Sequence, residues 1–255
     1  MANFNEYALY YDAFYGDKNY REEVETVCKL INRNTKKEVK TILSMGCGTG
    51  RHDSEFNNCG YTVKGIDISE KMISVAKKTI PKQGGEGLSF DVGDVRCYRD
   101  GVKYDTCVSL FHVMSYQNGN QDIIDAMRTA YEELEEGGLF VFDVWYGPGV
   151  LSYKPEVRIK EVSFGDYTYI RHATPVIYPD RNVVDVNYDV LVLNNTSDNV
   201  ERFKETHSMR YFFTPEIEFY LNSVGFELLE CLDCKTLKNV TFDSWTAYFV
   251  AKKER

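Results

Sequence analysis

No stretch of the 255-residue sequence approaches the ~20 consecutive apolar residues that span a bilayer. The first twenty residues carry acids and aromatics where a secretory leader would be basic and then apolar. A cytoplasmic protein with no membrane partner is expected. Positive charge is also scarce: 30 Lys and Arg against 39 Asp and Glu leave a net charge of -9, which repels a phosphate backbone. No nucleic-acid partner is expected. Cysteine offers no disulfide framework, because Cys28, Cys47, Cys59, Cys97, Cys107, Cys231 and Cys234 are odd in number and scattered. The single C-x-x-C, Cys231 and Cys234, lacks the second pair of a tetrahedral zinc site, so no metal is expected. Internal repeats and low-complexity segments are missing as well.

What is present suits one large core. Apolar residues make up 43% and aromatics 14%, and the length allows a single domain or a core with an insertion. Residues 4–34 show apolar positions at three- and four-residue steps (Val24, Val27, Leu30, Ile31) with a break at Gly16-Asp17, which predicts two helices. The chain then alternates: strands at 39–45, 61–66, 88–93, 104–110 and 139–144, helices at 69–79 and 121–135. Ser69 is the expected N-cap of the first of these helices; Pro81 with Gly84-Gly85, and Gly137-Gly138, are the expected stops. Such alternation builds a parallel sheet covered by helices.

After Pro148 the period changes to two, with Val184, Val186, Tyr188, Val190 and Val192 alternating along one run. Turn residues at Gly165-Asp166, 179–182 and 194–199 separate about four extended runs of antiparallel sheet. Thr214-Pro215-Glu216 reads as an N-cap with proline at the first helical position, opening a helix to about Val224. Strands at 226–232 and 245–251 follow. The expected fold is α/β: a Rossmann-like, seven-stranded, mostly parallel sheet with helices on both faces, plus an antiparallel β insertion after the fifth strand. Residues 1–148 and 214–255 would form the core, and 149–213 an insertion serving the acceptor or dimerisation.

Gly46-Cys47-Gly48-Thr49-Gly50-Arg51-His52 follows the first strand as G-x-G-x-G. Glycines permit a tight turn and let backbone N–H groups approach a ligand, and the next helix aims its positive end there. Asp67 ends the second strand, where its two oxygens can accept both hydroxyls of a ribose. Asp94 ends the third, offering a polar group to adenine. Position 51 is Arg, so the dinucleotide fingerprint G-x-G-x-x-G fails; no G-K-[ST] follows either, which removes a P-loop.

These segments resemble the class I S-adenosylmethionine-dependent methyltransferases over essentially the whole chain. Tyr10-Tyr11-Asp12-Ala13-Phe14-Tyr15, residues 46–52, Ser109-Leu110-Phe111-His112-Val113-Met114-Ser115-Tyr116 and Phe142-Asp143-Val144-Trp145-Tyr146-Gly147-Pro148 resemble bacterial sugar and small-molecule members, with the nucleotide-linked amino-sugar N-methyltransferases similar in outline. The resemblance implies S-adenosyl-L-methionine as cofactor. Gly46, Gly48 and Gly50 would lie along its methionine portion, Asp67 would hold the ribose, Ile68 and Met72 would flank adenine, and Asp94 with Val95 would meet its amino edge. Tyr11, Tyr15 and Tyr20 are the candidates to close over it, and His52 and Leu110 complete the cofactor set.

Methyl transfer from a sulfonium is an in-line displacement, so positioning supplies much of the catalysis. A hydroxyl acceptor gains from a general base, whereas an amine needs only to be neutral. His112, just past the fourth strand, is the first candidate base, and Asp143, ending the fifth, is the alternative. Trp145 and Tyr146 lead into the insertion as an aromatic wall suited to a sugar face. Arg171, His172, His207 and Arg210 are the insertion's candidate acceptor-binding residues, either arginine able to grip a phosphate. The expected reaction is methyl transfer to an oxygen or nitrogen of a sugar or nucleotide-linked sugar. The alternatives are N-methylation of a small amine such as glycine, or cofactor binding without catalysis. An antiparallel insertion with an exposed edge is compatible with a homodimer.

Overall fold

Residues 42–45 of the first strand, β1 (Thr41–Met45), are all buried, with Ile42 in one apolar layer and Leu43 and Met45 in the other. A strand covered on both faces needs apolar side chains at both parities. The strand belongs to a computed structural model that describes residues 10–11, 13–16, 18–79, 86–197 and 199–254. In chain order the labelled elements are α1 (Tyr20–Asn34), β1, α2 (Arg51–Asn58), β2 (Thr62–Asp67), α3 (Glu70–Thr79), β3 (Leu88–Val92) and β4 (Tyr104–Ser109). A 3-10 turn at Val113–Tyr116 leads to α4 (Asn120–Glu133), β5 (Leu134–Tyr146) and α5 (Gly147–Ser152). The antiparallel strands β6 (Arg158–Phe164), β7 (Tyr167–Tyr178), β8 (Val183–Asn194) and β9 (Val200–Phe212) follow, then α6 (Thr214–Val224), β10 (Phe226–Asp233) and β11 (Thr246–Lys253).

The core strands pair in the order β3-β2-β1-β4-β5, all parallel; β11 runs antiparallel against β5 and β10 antiparallel against β11. Helices α1, α2 and α3 supply Val24, Val27, Leu30, Phe56, Ile73 and Ala76 to one apolar layer. On the opposite face α4 and α6 supply Ile123, Met127, Ala130, Ile217 and Leu221. Asn19 opens α1 by accepting from the Glu22 N–H, and the Ser69 hydroxyl accepts from the Met72 N–H at the start of α3.

The seven core strands are present, but the insertion is continuous with them, giving an 11-stranded sheet. The cause is the length of β5, which runs two residues past its expected end. β4 stops at Ser109 opposite Phe142, and β11 occupies the other edge, so Trp145 and Tyr146 offer a vacated edge that Tyr211 and Phe212 of β9 fill. Two local expectations are also corrected. Gly137-Gly138 does not end the preceding helix: α4 stops at Glu133, and Leu134 already pairs with Tyr104. Thr214 is not the cap of α6, since Phe213 occupies that place in extended backbone and the Thr214 hydroxyl contacts the Tyr146 hydroxyl at 3.2 Å. The expected helical start at Phe4, Asp17 and the stop at Pro81 with Gly84-Gly85 lie outside the described residues. No helix among the described residues is long and apolar enough to cross a membrane.

Candidate active site

β1 ends where Gly46, Gly48 and Gly50 take left-handed backbone, with φ of 82°, 56° and 76°. The Gly46 and Cys47 N–H groups both donate to the Ile66 carbonyl at 2.8 Å, tying the turn to β2. A Cβ at Gly46 would stand 2.5 Å from a Val113 methyl, whereas one at Gly48 would meet nothing within 4 Å. Gly46 is therefore needed for packing and Gly48 borders open space.

Asp67 closes the loop from the other side. Its Oδ2 accepts the Gly48 N–H at 3.0 Å and its Oδ1 the Ser69 N–H at 2.8 Å. Burial pushes its carboxyl above the ordinary range, and those two N–H groups oppose the rise. Each carboxylate oxygen can accept a second hydrogen bond. Asp94, past the end of β3, accepts the Arg96 N–H at 2.9 Å and the Arg96 guanidinium at 2.6 Å, and this pairing holds its carboxyl below the usual range. Arg96 also reaches Asp122 of α4 at 2.9 Å.

A cavity of about 560 Å³ opens over these groups. Gly46, Gly48, His52, Asp67, Ile68 and Met72 line its near wall, and Asp94, Val95 and Leu110 extend it. Tyr11 and Tyr15 cover it from the N-terminal segment. That segment is held by Lys18, whose ammonium lies 3.6 Å from the Phe111 ring centroid and 2.8 Å from Glu23. His52 contacts the same Glu23 at 2.8 Å; burial lowers its imidazole pKa against that partner's opposite pull. His112, Trp145 and His207 line the far part, together with Tyr116, Tyr188 and Met209.

His112 sits at a strained place. Phe111 and His112 are consecutive non-glycine residues with φ of 63° and 66°, and such outliers gather at functional sites because surrounding contacts must enforce them. Asp143 supplies the enforcement: Oδ1 accepts the His112 N–H at 3.1 Å and Oδ2 lies 2.5 Å from the imidazole Nδ1. Burial alone would raise the Asp143 carboxyl, but the His112 contacts outweigh it and leave it below the usual range.

Several expected site residues lie elsewhere. Tyr20 packs behind the cavity with its ring 4.8 Å from His52, and Gly50 serves the helix start beneath Phe90. Asp143 is buried under His112 rather than lining the void, and Tyr146 is buried in the core. Arg171 lies between the Phe14 and Tyr188 rings at 4.5 and 4.7 Å. His172 faces away, against Thr174. Arg210 turns to the opposite side of β9, where Asn120, Glu216 and Tyr220 hold it, so neither arginine faces the cavity. Arg96, Asp122, Tyr116 and Tyr188 also line the cavity without a sequence pattern that singles them out; Tyr116 closes the 109–116 segment, and Tyr188 shares the parity of Val186 and Val190.

Residues 42–138 match a family model described as a methyltransferase domain. Those residues are a methyltransferase domain. A relative from Streptomyces venezuelae, dTDP-3-amino-3,4,6-trideoxy-alpha-D-glucopyranose N,N-dimethyltransferase, is 26% identical over 222 residues, covering 86% of this chain and 90% of the relative. Among solved structures, an S-adenosylmethionine-dependent methyltransferase from Clostridium acetobutylicum ATCC 824 is 20% identical with a TM-score of 0.81, covering 99% of each chain. The amino pentose methyltransferase CalS10 from Micromonospora echinaspora, solved with its cofactor bound, is 21% identical with a TM-score of 0.75, covering 98% of this chain and 97% of that one.

The residues of this methyltransferase fit that cofactor: a glycine bordering open space leaves room for close backbone approach, and a buried carboxylate retains acceptor capacity beside it. Two substitutions separate packing from binding. Gly46→Ala is expected to lower stability by ~2–4 kcal/mol through left-handed strain and overpacking. Gly48→Ala carries only the ~1–2 kcal/mol of strain, yet should weaken cofactor binding about tenfold by filling the void, a loss of ~1.4 kcal/mol. Thermal unfolding and calorimetric titration read the two effects.

Asp53 gives a pH-dependent prediction. It is fully buried in the first turn of α2, and burial pushes its carboxyl up from 3.8 to about 7. The folded state therefore binds this proton more tightly than the unfolded chain, so stability falls as pH rises from about 4 to about 7. Asp53→Asn removes that burden. Its thermal midpoint should exceed the wild type's at pH 8, by up to ~4 kcal/mol of stability, and the advantage should shrink at pH 5. An unchanged difference across that range would refute the assignment.

Proposed function

We propose that this methyltransferase transfers a methyl group to the amino group of a nucleotide-linked sugar. The carrying observation is that one cavity joins the Gly46–Gly48 turn and Asp67 to an aromatic wall made by β8, β9 and the 113–116 turn. In this reading the cofactor's methionine portion lies along Gly46 and Gly48, its ribose on Asp67 and its adenine between Ile68 and Met72, near Asp94 and Val95. Tyr11 and Tyr15 cover it. The bound cofactor supplies an electrophilic methyl on a sulfonium. The chain's residues exclude water and orient the acceptor against Trp145 and Tyr188, while His112, held by Asp143, takes the proton that leaves the acceptor.

The names of the Streptomyces and Micromonospora proteins, both amino-sugar methyltransferases, support this acceptor class. We assign residues 1–148 and 214–255 to the cofactor-binding core and 149–213 to the acceptor side. A homodimer would pair the exposed edge of β6, where Ile159 is 69% and Phe164 59% exposed; sedimentation at micromolar concentration tests it. The reading places the protein in the cytoplasm, where its free cysteines stay reduced. Mass spectrometry of candidate sugar nucleotides with isotopically labelled cofactor tests the acceptor. A product one or two methyl groups heavier supports it. Turnover of glycine or other small amines, with no sugar product, overturns it.

A further inference from the structure

β9 carries a second carboxylate–imidazole arrangement on the far wall of the cavity. Glu205 and His207, two residues apart on one face of the strand, each have side chains only 2% exposed. His207 Nε2 lies 3.1 Å from Glu205 Oε2, and His207 Nδ1 lies 2.8 Å from the Tyr116 hydroxyl. Glu205 Oε2 also accepts from the Tyr10 hydroxyl at 3.1 Å. Of these residues, Tyr116 and His207 border the cavity. The Tyr188 ring of β8 stands 4.9 Å from the His207 ring, and Arg171 of β7 lies 4.7 Å from that tyrosine. Among the described residues, the charged and titratable groups around His207 include Glu205 on its own strand, Tyr116, Tyr10, Tyr188 and, behind Tyr188, Arg171.

The order of the atoms sets the direction of the hydrogen bonds. In a neutral imidazole, a proton on the His207 Nε2 that faces the Glu205 carboxyl leaves Nδ1 as an acceptor. Tyr116 then donates to Nδ1, and its oxygen is a hydrogen-bond acceptor at the cavity. Burial, with Tyr188, Tyr15 and Glu205 nearby, raises the Tyr116 phenol pKa and keeps it protonated at rest.

We infer that Tyr116 is a catalytic residue of the acceptor site, receiving a proton from the acceptor nitrogen, with His207 and Glu205 as its positioning residues. The inference rests on the methyl-transfer reading above and deepens it. An amine arriving as an ammonium releases one proton before the transfer and one after it, and His112 and Tyr116 stand as the two receivers. In the step at Tyr116 the N–H bond breaks and its electron pair stays on nitrogen. A new O–H bond forms at Tyr116 while the original phenolic proton passes to His207 Nδ1. The imidazolium so formed faces the Glu205 carboxylate.

Two measurements test this on the intact protein. Nitrogen-15 NMR of labelled histidines, which needs no acceptor, should show His207 as the Nε2–H tautomer, with its Nδ1 resonance shifted in Tyr116→Phe. A His207 that is doubly protonated or carries its proton on Nδ1 at pH 7.5 overturns the inference. Kinetics with whichever amine the wild type methylates should show Tyr116→Phe lowering kcat at least tenfold, with cofactor affinity by calorimetry within twofold; that affinity also verifies folding. A kcat within twofold of wild type overturns it. If only non-sugar amines react, the acceptor class fails while the Tyr116 assignment is still decided.

Discussion

Asp67→Asn is expected to weaken cofactor binding by roughly 30- to 700-fold, or ~2–4 kcal/mol, because hydrogen bonds to a charged group contribute ~1.5–3 kcal/mol each. The amide keeps one acceptor oxygen but turns the other position into a donor, which would confront either the Ser69 N–H that Oδ1 now accepts or the Gly48 N–H that Oδ2 now accepts. The effect is thus larger than that of Gly48→Ala, which crowds the void without reversing any polarity. Asp67→Ala should be at least as severe, and it also releases the Ser69 N–H at the start of α3. Calorimetric titration is the direct measurement. An affinity within threefold of wild type would mean that the carboxylate serves the loop alone.

The second large effect is expected at His112. Replacement by Ala should reduce kcat by ~10²-fold or more if the imidazole receives the acceptor's proton. His112→Asn should fall nearly as far, since an amide can occupy the space beside Asp143 without taking up a proton. Both variants should bind cofactor normally, because the Gly46–Gly48 turn and Asp67 are untouched. A loss below about tenfold, ~1.4 kcal/mol, would reduce His112 to a structural residue. Asp143→Asn should produce a smaller loss through a misoriented imidazole. Asp143 is held below the ordinary carboxyl value of 3.8, so its stabilising contact is fully present above that pH and is lost only as pH falls through the depressed folded value. Acid inactivation near neutrality would therefore not come from Asp143.

The candidate cofactor side was legible as residues lining one cavity because its pattern is short and local. A glycine turn after a strand needs no partner to be recognised, and acids at the ends of the next two strands reach the same edge of a parallel sheet by topology alone. Gly46, Gly48, Asp67, Ile68, Met72, Asp94, Val95 and Leu110 accordingly lie around one cavity. The acceptor side was much less legible. Arg171 and Arg210 are candidates in the sequence, either able to grip a phosphate, yet one is enclosed by aromatic rings and the other by Asn120, Glu216 and Tyr220. Period-two alternation separates the two faces of a strand but does not say which face meets the core, because a sheet's curvature and neighbours decide that.

The amino-acid sequence by itself determined the α/β class, the strand-turn-helix that bears the glycine loop, the aspartate opposite it and the change to antiparallel sheet after Pro148. Each follows from propensity and spacing within about thirty residues. Tertiary structure alone decided that β9 joins the edge of β5 vacated by β4, that Arg96 bridges Asp94 to Asp122, and that Tyr116, His207 and Glu205 meet although 91 residues separate the first two. Those contacts link distant segments whose approach depends on how far β5 extends before its edge is taken up. Strand length and edge occupancy are set by the packing of the whole sheet, which no local pattern records.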